Sequence, residues 1–344
     1  MKPSLVAASL QVACASDVQQ PVMVWGAPGV GKSSIVKQVA DALYGAPKKV
    51  KVRGITVVPT HFIDLRLPLL DAVDLRGIPT VENGVTQWIP PSFLPREGKG
   101  ILFLDELVQA MPIVQSAASQ LILDRRIGDY VLPDGWAVVA AGNRDTDRAA
   151  TNKMPSHIAN RFLHLTMDVD TRDWINWAID NNVHPMVIAF INWRSELLHS
   201  FDPKRKENAT PRTWGFVSRM MTNGLPDEVF MDVISGLVGE GPAREFVGFV
   251  KIFRDLPDYT DIVAKPTAIQ LPTDASVLYA VTTMLAMNTT KKDVNAVFKY
   301  VQRMPKDFQL LCVMHMTRKN PDLCETITYI QWASDNKEIL LNAA

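Results

Sequence analysis

The chain has 344 residues, 47% of them apolar and 21% charged, with 36 Lys and Arg balancing 36 Asp and Glu. Such a chain has the size of about two folded domains, and its zero net charge argues against affinity resting on bulk phosphate neutralisation, while leaving room for a locally basic channel. Cysteines at 14, 312 and 324 show no metal or redox spacing, and neither an apolar leader run nor a stretch of roughly 20 apolar residues is present, which points to a reduced, cytoplasmic protein with no membrane span.

In chain order, Pro21-Val22-Met23-Val24-Trp25 is a short apolar run suited to a buried strand. It leads into Gly26-Ala27-Pro28-Gly29-Val30-Gly31-Lys32-Ser33, the G-x-x-x-x-G-K-[ST] phosphate loop, and then into Ser34 to Leu43, where apolar residues recur at helical spacing. Glycine at 26, 29 and 31 permits backbone that a Cβ would forbid, so successive N–H groups can face phosphate oxygens. A helix starting near Lys32 adds its positive dipole end. Residues 26–34 are therefore the candidate nucleotide-binding segment. Lys32 would reach the β- and γ-phosphates and the Ser33 hydroxyl would ligate Mg²⁺.

The densest basic run, Lys48-Lys49-Val50-Lys51-Val52-Arg53, reads as a solvated loop before a strand. Further strands are expected at 61–67, 101–104, 137–141 and 162–165, alternating with helices as in an α/β domain with a mainly parallel sheet. Two hairpins are expected to interrupt this alternation. Asn83-Gly84 is a two-residue turn between Thr80-Val81-Glu82 and Val85-Thr86-Gln87-Trp88. Pro133-Asp134-Gly135 is expected to turn Tyr130-Val131-Leu132 back into a strand starting near Trp136.

After about residue 168 strand signals fade. Asp170 or Thr171 can cap a helix carrying Trp174, Ile175 and Ala178, and Pro185 suits the first turn of the next. Breaks fall near 223–227 and 239–242, and 264–273 reads as a linker to a last helical block. The tryptophans at 88, 136, 174, 177, 193 and 214 have the spacing of core residues. The six histidines are scattered without metal-ligand spacing.

The chemistry-bearing residues fall at strand ends. Asp105-Glu106 directly follows the apolar run 101–104. Beside a phosphate loop, Asp105 is placed to serve Mg²⁺ and Glu106 to polarise the attacking water, whereas without one an acidic helix start would explain both. Asn143, just past 137–141, is placed to reach the γ-phosphate and that water.

Taken together, Gly26 to Ser33, Asp64-Leu-Arg, Asp74-Leu-Arg-Gly77, Ile101-Leu-Phe-Leu-Asp105-Glu106, Ala141-Gly-Asn143, Ile158-Ala-Asn-Arg161-Phe162 and Ala209-Thr-Pro-Arg212 resemble the AAA+ ATPases, and within them the MoxR-like group. The resemblance spans roughly residues 20–215 and implies Mg²⁺-dependent ATP hydrolysis in a ring, a homohexamer, that remodels a partner protein, commonly one with a von Willebrand factor A-type domain. An AAA+ motor or loader acting on nucleic acid is the alternative, disfavoured by the charge balance. Arg161 would be the arginine finger completing a neighbouring subunit's site, with Arg125, Arg126 and Arg144 as rivals for that role. Arg212 would be the sensor at the start of a helix capped by Thr210. The expected division is an ATPase domain at 1–166, a helical lid at 167–265 and a C-terminal helical extension at 266–344.

Overall fold

The computed structural model describes residues 1–15, 20–45, 50–52, 55–57, 60–144, 154–254, 256–338 and 340. They form two compact units, 1–169 and 170–344.

The first unit is built on five strands: β1 (Val22–Trp25), β2 (Phe62–Arg66), β3 (Gly100–Asp105), β4 (Trp136–Gly142) and β5 (Leu163–Thr166). Their order across the sheet is β5-β1-β4-β3-β2, and every pairing is parallel. The expected strands thus stand within two residues of their anticipated bounds. The two central strands, β3 and β4, are buried along almost their whole length, which explains their continuous apolar runs.

Alternate residues feed two cores. Ile101, Phe103, Val139 and Ala141 join Val22 and Val24 against α1 (Pro3–Ala15) and α2 (Lys32–Tyr44). Leu102, Leu104, Val138 and Ala140 join Met23 on the other face. There α3 (Ala72–Arg76) contributes Leu75, and α4 (Pro112–Asp124) contributes Val114 and Leu121. Because all five strands run the same way, their C-terminal ends share one edge of the sheet, the edge where open parallel sheets bind ligands.

The expected hairpin at 83–84 is present: Ile78–Glu82 pairs with Val85–Ile89, and both turn residues take left-handed backbone, Asn83 at φ 51° and Gly84 at φ 77°. At its base Gly77 has φ +92°, and a Cβ there would lie 2.0 Å from the Ile89 carbonyl oxygen.

The second hairpin is not where the Pro133-Asp134-Gly135 signal put it. Arg126–Ile127 pairs instead with Tyr130–Val131 about Gly128-Asp129. Residues 133–135 form a turn closed by the Trp136 N–H on the Pro133 carbonyl. The strand after that turn is apolar enough to be central, so β1 and β3 take both of its edges and none is left for a local partner.

Of the basic run, Lys48, Lys49 and Arg53 lie outside the described residues, while Val50–Val52 pairs antiparallel with Ile55–Val57. The unit closes with a short helix, α5 (Ser156–Ala159), just ahead of β5.

The second unit is helical: α6 (Thr171–Asp180), α7 (Pro185–Trp193), α8 (Pro211–Thr222), α9 (Asp227–Val238), α10 (Glu240–Arg254), α11 (Tyr259–Ala264), α12 (Ala275–Asn288), α13 (Val294–Val301), α14 (Lys306–Lys319) and α15 (Ile327–Asp335). Asp170 is the cap of α6, its carboxylate accepting from the Asp173 N–H, and Pro185 opens α7. Among the described residues, strand geometry after 170 is confined to one bridge, Ser200 to Ala209.

Phe190, Trp214, Phe246 and Phe249 pack edge-on or tilted at centroid distances of 5.1–5.6 Å. A further core gathers Val281, Leu285, Phe298, Tyr300, Val313 and Trp332 from the last helices. Arg318 on α14 ties the two parts of this unit together, donating to the Asn176 carbonyl and the Asp180 carboxylate of α6. Trp136, Trp174 and Trp214 are buried, as their spacing implied; Trp88, Trp177 and Trp193 are half-buried.

Candidate functional site

The phosphate loop is strung between β1 and α2. Ala27 and Val30 bury their side chains in the α1–α2 core, anchoring the loop, and Gly31 takes left-handed backbone, φ 101°, as the cap of α2. The Gly26 N–H donates to the Gly142 carbonyl at the end of β4, so the loop and Asn143 are joined through backbone.

Lys32 Nζ donates to the carbonyls of Gly26 (2.7 Å) and Ala27 (3.1 Å) and to Asn143 Oδ1 (2.9 Å). The bond to Asn143 runs from the start of α2 to the residue just past the end of β4 and fixes the amide with its oxygen on the lysine. Ser33 Oγ donates to Asp105 Oδ2 at 3.0 Å, joining the start of α2 to the end of β3. Three places far apart in sequence, Lys32-Ser33, Asp105 and Asn143, thereby meet on the strand-end edge. Of the rest of the candidate segment, Gly26 and Gly29 are buried, Pro28 is half-buried and Ser34 is exposed at the first turn of α2.

The Ser33–Asp105 pair fits a magnesium ion. A hydroxyl and a single carboxylate are the hard oxygen donors such an ion takes when phosphates and water complete its shell. Among the described residues no group of three or more His, Cys, Asp or Glu could hold a metal, and the Ser–Asp pair belongs to a different class of site.

Glu106 stands in left-handed backbone, φ 58° and ψ 35°, uncommon for a residue with a Cβ. Its N–H donates to Asp105 Oδ1 (3.0 Å), which leaves an exposed carboxylate just beyond the sheet edge. β3 does not run into an ordinary acidic helix start: a 3-10 turn over Leu107–Gln109 intervenes, and α4 begins only at Pro112.

Asp64 also belongs to this neighbourhood. It lies on β2, paired in register with Phe103, and although the residue is exposed, partial desolvation of its carboxyl first, then Asp105 and, more weakly, Glu106 raise that group above the usual range, against the opposing pull of Arg66. Its signal in the sequence was the Asp64-Leu-Arg motif, whose strand partner was not readable.

Arg161 is not brought to the phosphate loop of its own chain. It precedes β5, where the Leu163 N–H donates to the Pro21 carbonyl at the start of β1, so it sits at the opposite edge, separated from the loop by the length of β1, ~13 Å at about 3.3 Å per residue. Its side chain is exposed and has no ionic partner among the described residues.

The rival arginines are engaged. Arg125 donates to the carbonyls of Pro133 (2.9 Å) and Trp136 (2.7 Å), and Arg144 pairs with Asp168 at 2.8 Å. Among the described residues Arg126 reaches the Gly128 carbonyl alone, at 3.3 Å. Arg212 lies in the second unit, exposed on the first turn of α8, where Thr210 and Thr213 cap each other's backbone.

Residues 21–162 match the family model for the AAA domain, dynein-related subfamily. Midasin from Giardia intestinalis is 28% identical over 190 residues, which cover 52% of this chain and 4% of that much longer protein. Among solved structures, NtrX from Brucella abortus aligns with a TM-score of 0.42 at 12% identity, over 91% of this chain and 67% of that one. A RuvB mutant from Thermotoga maritima aligns at 0.39 and 15% identity, over 76% and 74%. The phosphate loop, the β5-β1-β4-β3-β2 sheet and the family match converge: residues 21–162 have the fold of a P-loop AAA+ nucleotide-binding domain.

Proposed function

We propose that this chain binds ATP with Mg²⁺ at residues 26–34 and hydrolyses it within a homohexameric ring, using the turnover to remodel a partner protein as MoxR-like ATPases do. The observation that carries the chemistry is the meeting of Lys32, Ser33, Asp105 and Asn143 on one strand-end edge, beside Glu106 in strained backbone. Lys32 neutralises the β- and γ-phosphates, trading its loop carbonyls for phosphate oxygens. Ser33 and Asp105 would hold the cation, which would supply positive charge against the phosphate oxygens.

Glu106 takes the proton of the water that attacks the γ-phosphorus as the bond to the β-phosphate oxygen breaks. Asn143, its oxygen held by Lys32, offers its N–H₂ to that water or to the γ-phosphate. Arg161 reaches the site of the next subunit in the ring, a role that its distance from its own phosphate loop and its unengaged side chain both suit. Arg212 contributes from the lid, taken as residues 167–265, and residues 266–344 extend it. ATP rather than GTP rests on the family resemblance.

The partner is a folded protein, with a von Willebrand factor A-type domain as the expected class. The hairpin at 78–89 and the helices of 274–340 are the surfaces with no part in nucleotide chemistry. The full chain carrying Glu106→Gln, held in ATP and used as bait, tests this reading. Capture of a defined protein that ATP release sets free supports it, and capture of nucleic acid without protein replaces it with a motor.

A further inference from the structure

The side chain of His164 bridges two parts of the first unit that the proposed mechanism uses separately. It lies on β5, in register with Met23 of β1. Its Nδ1 accepts from the Trp25 indole N–H at 2.8 Å, and its Nε2 lies 2.8 Å from the Ala159 carbonyl, to which it donates. Both bonds together require the neutral ring with the proton on Nε2. The Trp25 and His164 rings stack at 6.0 Å with 15° between planes, and Phe162 meets His164 edge-on.

The sequence neighbours of those contacts matter. Trp25 is the residue before Gly26, the first of the phosphate loop, and its own carbonyl is held by the Met167 N–H at 2.7 Å. Ala159 ends α5, two residues before Arg161. One imidazole therefore connects the last residue before the phosphate loop to the segment bearing Arg161, at the other edge of the sheet. Ile158 and Phe162, on either side of that segment, are buried in the core, while among the described residues the stretch between them is held by the four-residue α5 and by a bond from the Gln20 amide to the Arg161 carbonyl.

We infer that His164 is a positioning residue for Arg161, holding the segment 159–161 against β1 through its paired bonds to Trp25 and Ala159, so that the guanidinium is presented to the neighbouring subunit in a fixed place. The inference rests on the reading of Arg161 as a residue acting across subunits. A guanidinium displaced by about 1 Å from a developing phosphoryl charge costs catalysis heavily, on the order of 10- to 100-fold. Gln at 164 carries both an acceptor and a donor and preserves the bridge; Leu carries neither.

The test mixes full-length subunits and reads ATP turnover per assembled ring alongside the affinity of each variant for a fluorescent ATP analogue. Arg161→Ala mixed with Lys32→Ala examines the underlying reading by itself: recovered turnover supports action across subunits, and none in rings shown to be mixed removes that reading whatever His164 does. His164→Leu alone is expected to lose about 10-fold or more in turnover with analogue affinity within about twofold of the parent.

Mixed with Lys32→Ala, whose finger is intact, His164→Leu should recover; mixed with Arg161→Ala it should not, because neither subunit then presents a placed finger. His164→Gln should restore most of the turnover. Should His164→Leu fail to assemble, Trp25→Phe removes the indole donor alone and carries the same complementation pattern. Recovery with Arg161→Ala instead of Lys32→Ala, parental turnover in His164→Leu, or a well-assembled His164→Gln as inactive as His164→Leu would each overturn the inference.

Discussion

The two units of this chain spend their polar residues differently. In the first, Lys32, Ser33, Asp105 and Asn143 gather at the ends of parallel strands, half-buried and bonded to one another in pairs that a phosphate and a cation can replace. In the second, polar groups sit inside apolar helix packing. His315 is buried on α14, and among the described residues its Nδ1 has no hydrogen-bond partner, nor do the buried Thr282 and Tyr300 hydroxyls. An open parallel sheet leaves backbone ends and loops on one edge for chemistry, while helices packed on all sides convert polar residues into structural liabilities. Damage to the first unit's polar residues should remove ligand binding and spare the fold; damage to the second unit's core should do the reverse.

The largest stability effect belongs to the second unit. Trp214 is fully buried against Phe190 and Phe246, with its indole N–H on the Leu197 carbonyl at 2.8 Å. Trp214→Ala should destabilise by roughly 3–5 kcal/mol, read by urea unfolding, with nucleotide affinity unchanged wherever the protein remains folded. Lys32→Ala should show the opposite pattern. ATP affinity should fall on the order of 100-fold, since the phosphate charge loses its partner, while the melting temperature stays near that of the parent.

Acidification sharpens the contrast. Burial, aided by the positive charge of Arg318, pushes the His315 imidazole down to about 4. A folded value below the unfolded one means stability is complete above about pH 6.5 and is lost as pH falls toward 4, by roughly 2 kcal/mol at pH 5. His315→Leu should flatten that loss in unfolding experiments at pH 7 and 5.

The smallest effect is expected at Asp64. Its carboxyl is raised, so its ionised form weighs against the folded state as pH climbs through that raised value. Asp64→Asn should raise the melting temperature at pH 7 by a small amount and change it less in acid. An unchanged or lower melting temperature at pH 7 would show that Asp64 is held by contacts its neighbours do not oppose.

Much of the first unit was legible because fully covered strands are written as unbroken apolar runs, as at Ile101–Leu104, and because the phosphate loop has a spacing that few other structures require. Asp105 and Asn143 could be assigned to the site from their places just after such runs. What was not legible depends on partners distant in sequence. The turn at Pro133–Gly135 promised a hairpin, but the edges of β4 were claimed by β1 and β3. The left-handed backbone of Glu106 and the bridge from Trp25 through His164 to Ala159 have no local pattern, since each arises only once the strands are side by side. In the second unit the caps at Asp170 and Thr210 were readable, whereas the burial of His315 comes from the packing of α14 among neighbouring helices.

The central claim is that Glu106 activates water in a site whose binding is supplied by Lys32, Ser33 and Asp105. The most direct measurement is a paired determination, on Glu106→Gln, of ATP affinity by equilibrium binding and of phosphate release over a single turnover. Affinity within about twofold of the parent, with release slowed by at least about 100-fold, is the predicted result. Release at the parental rate with affinity intact would contradict the role assigned to Glu106 and require another base.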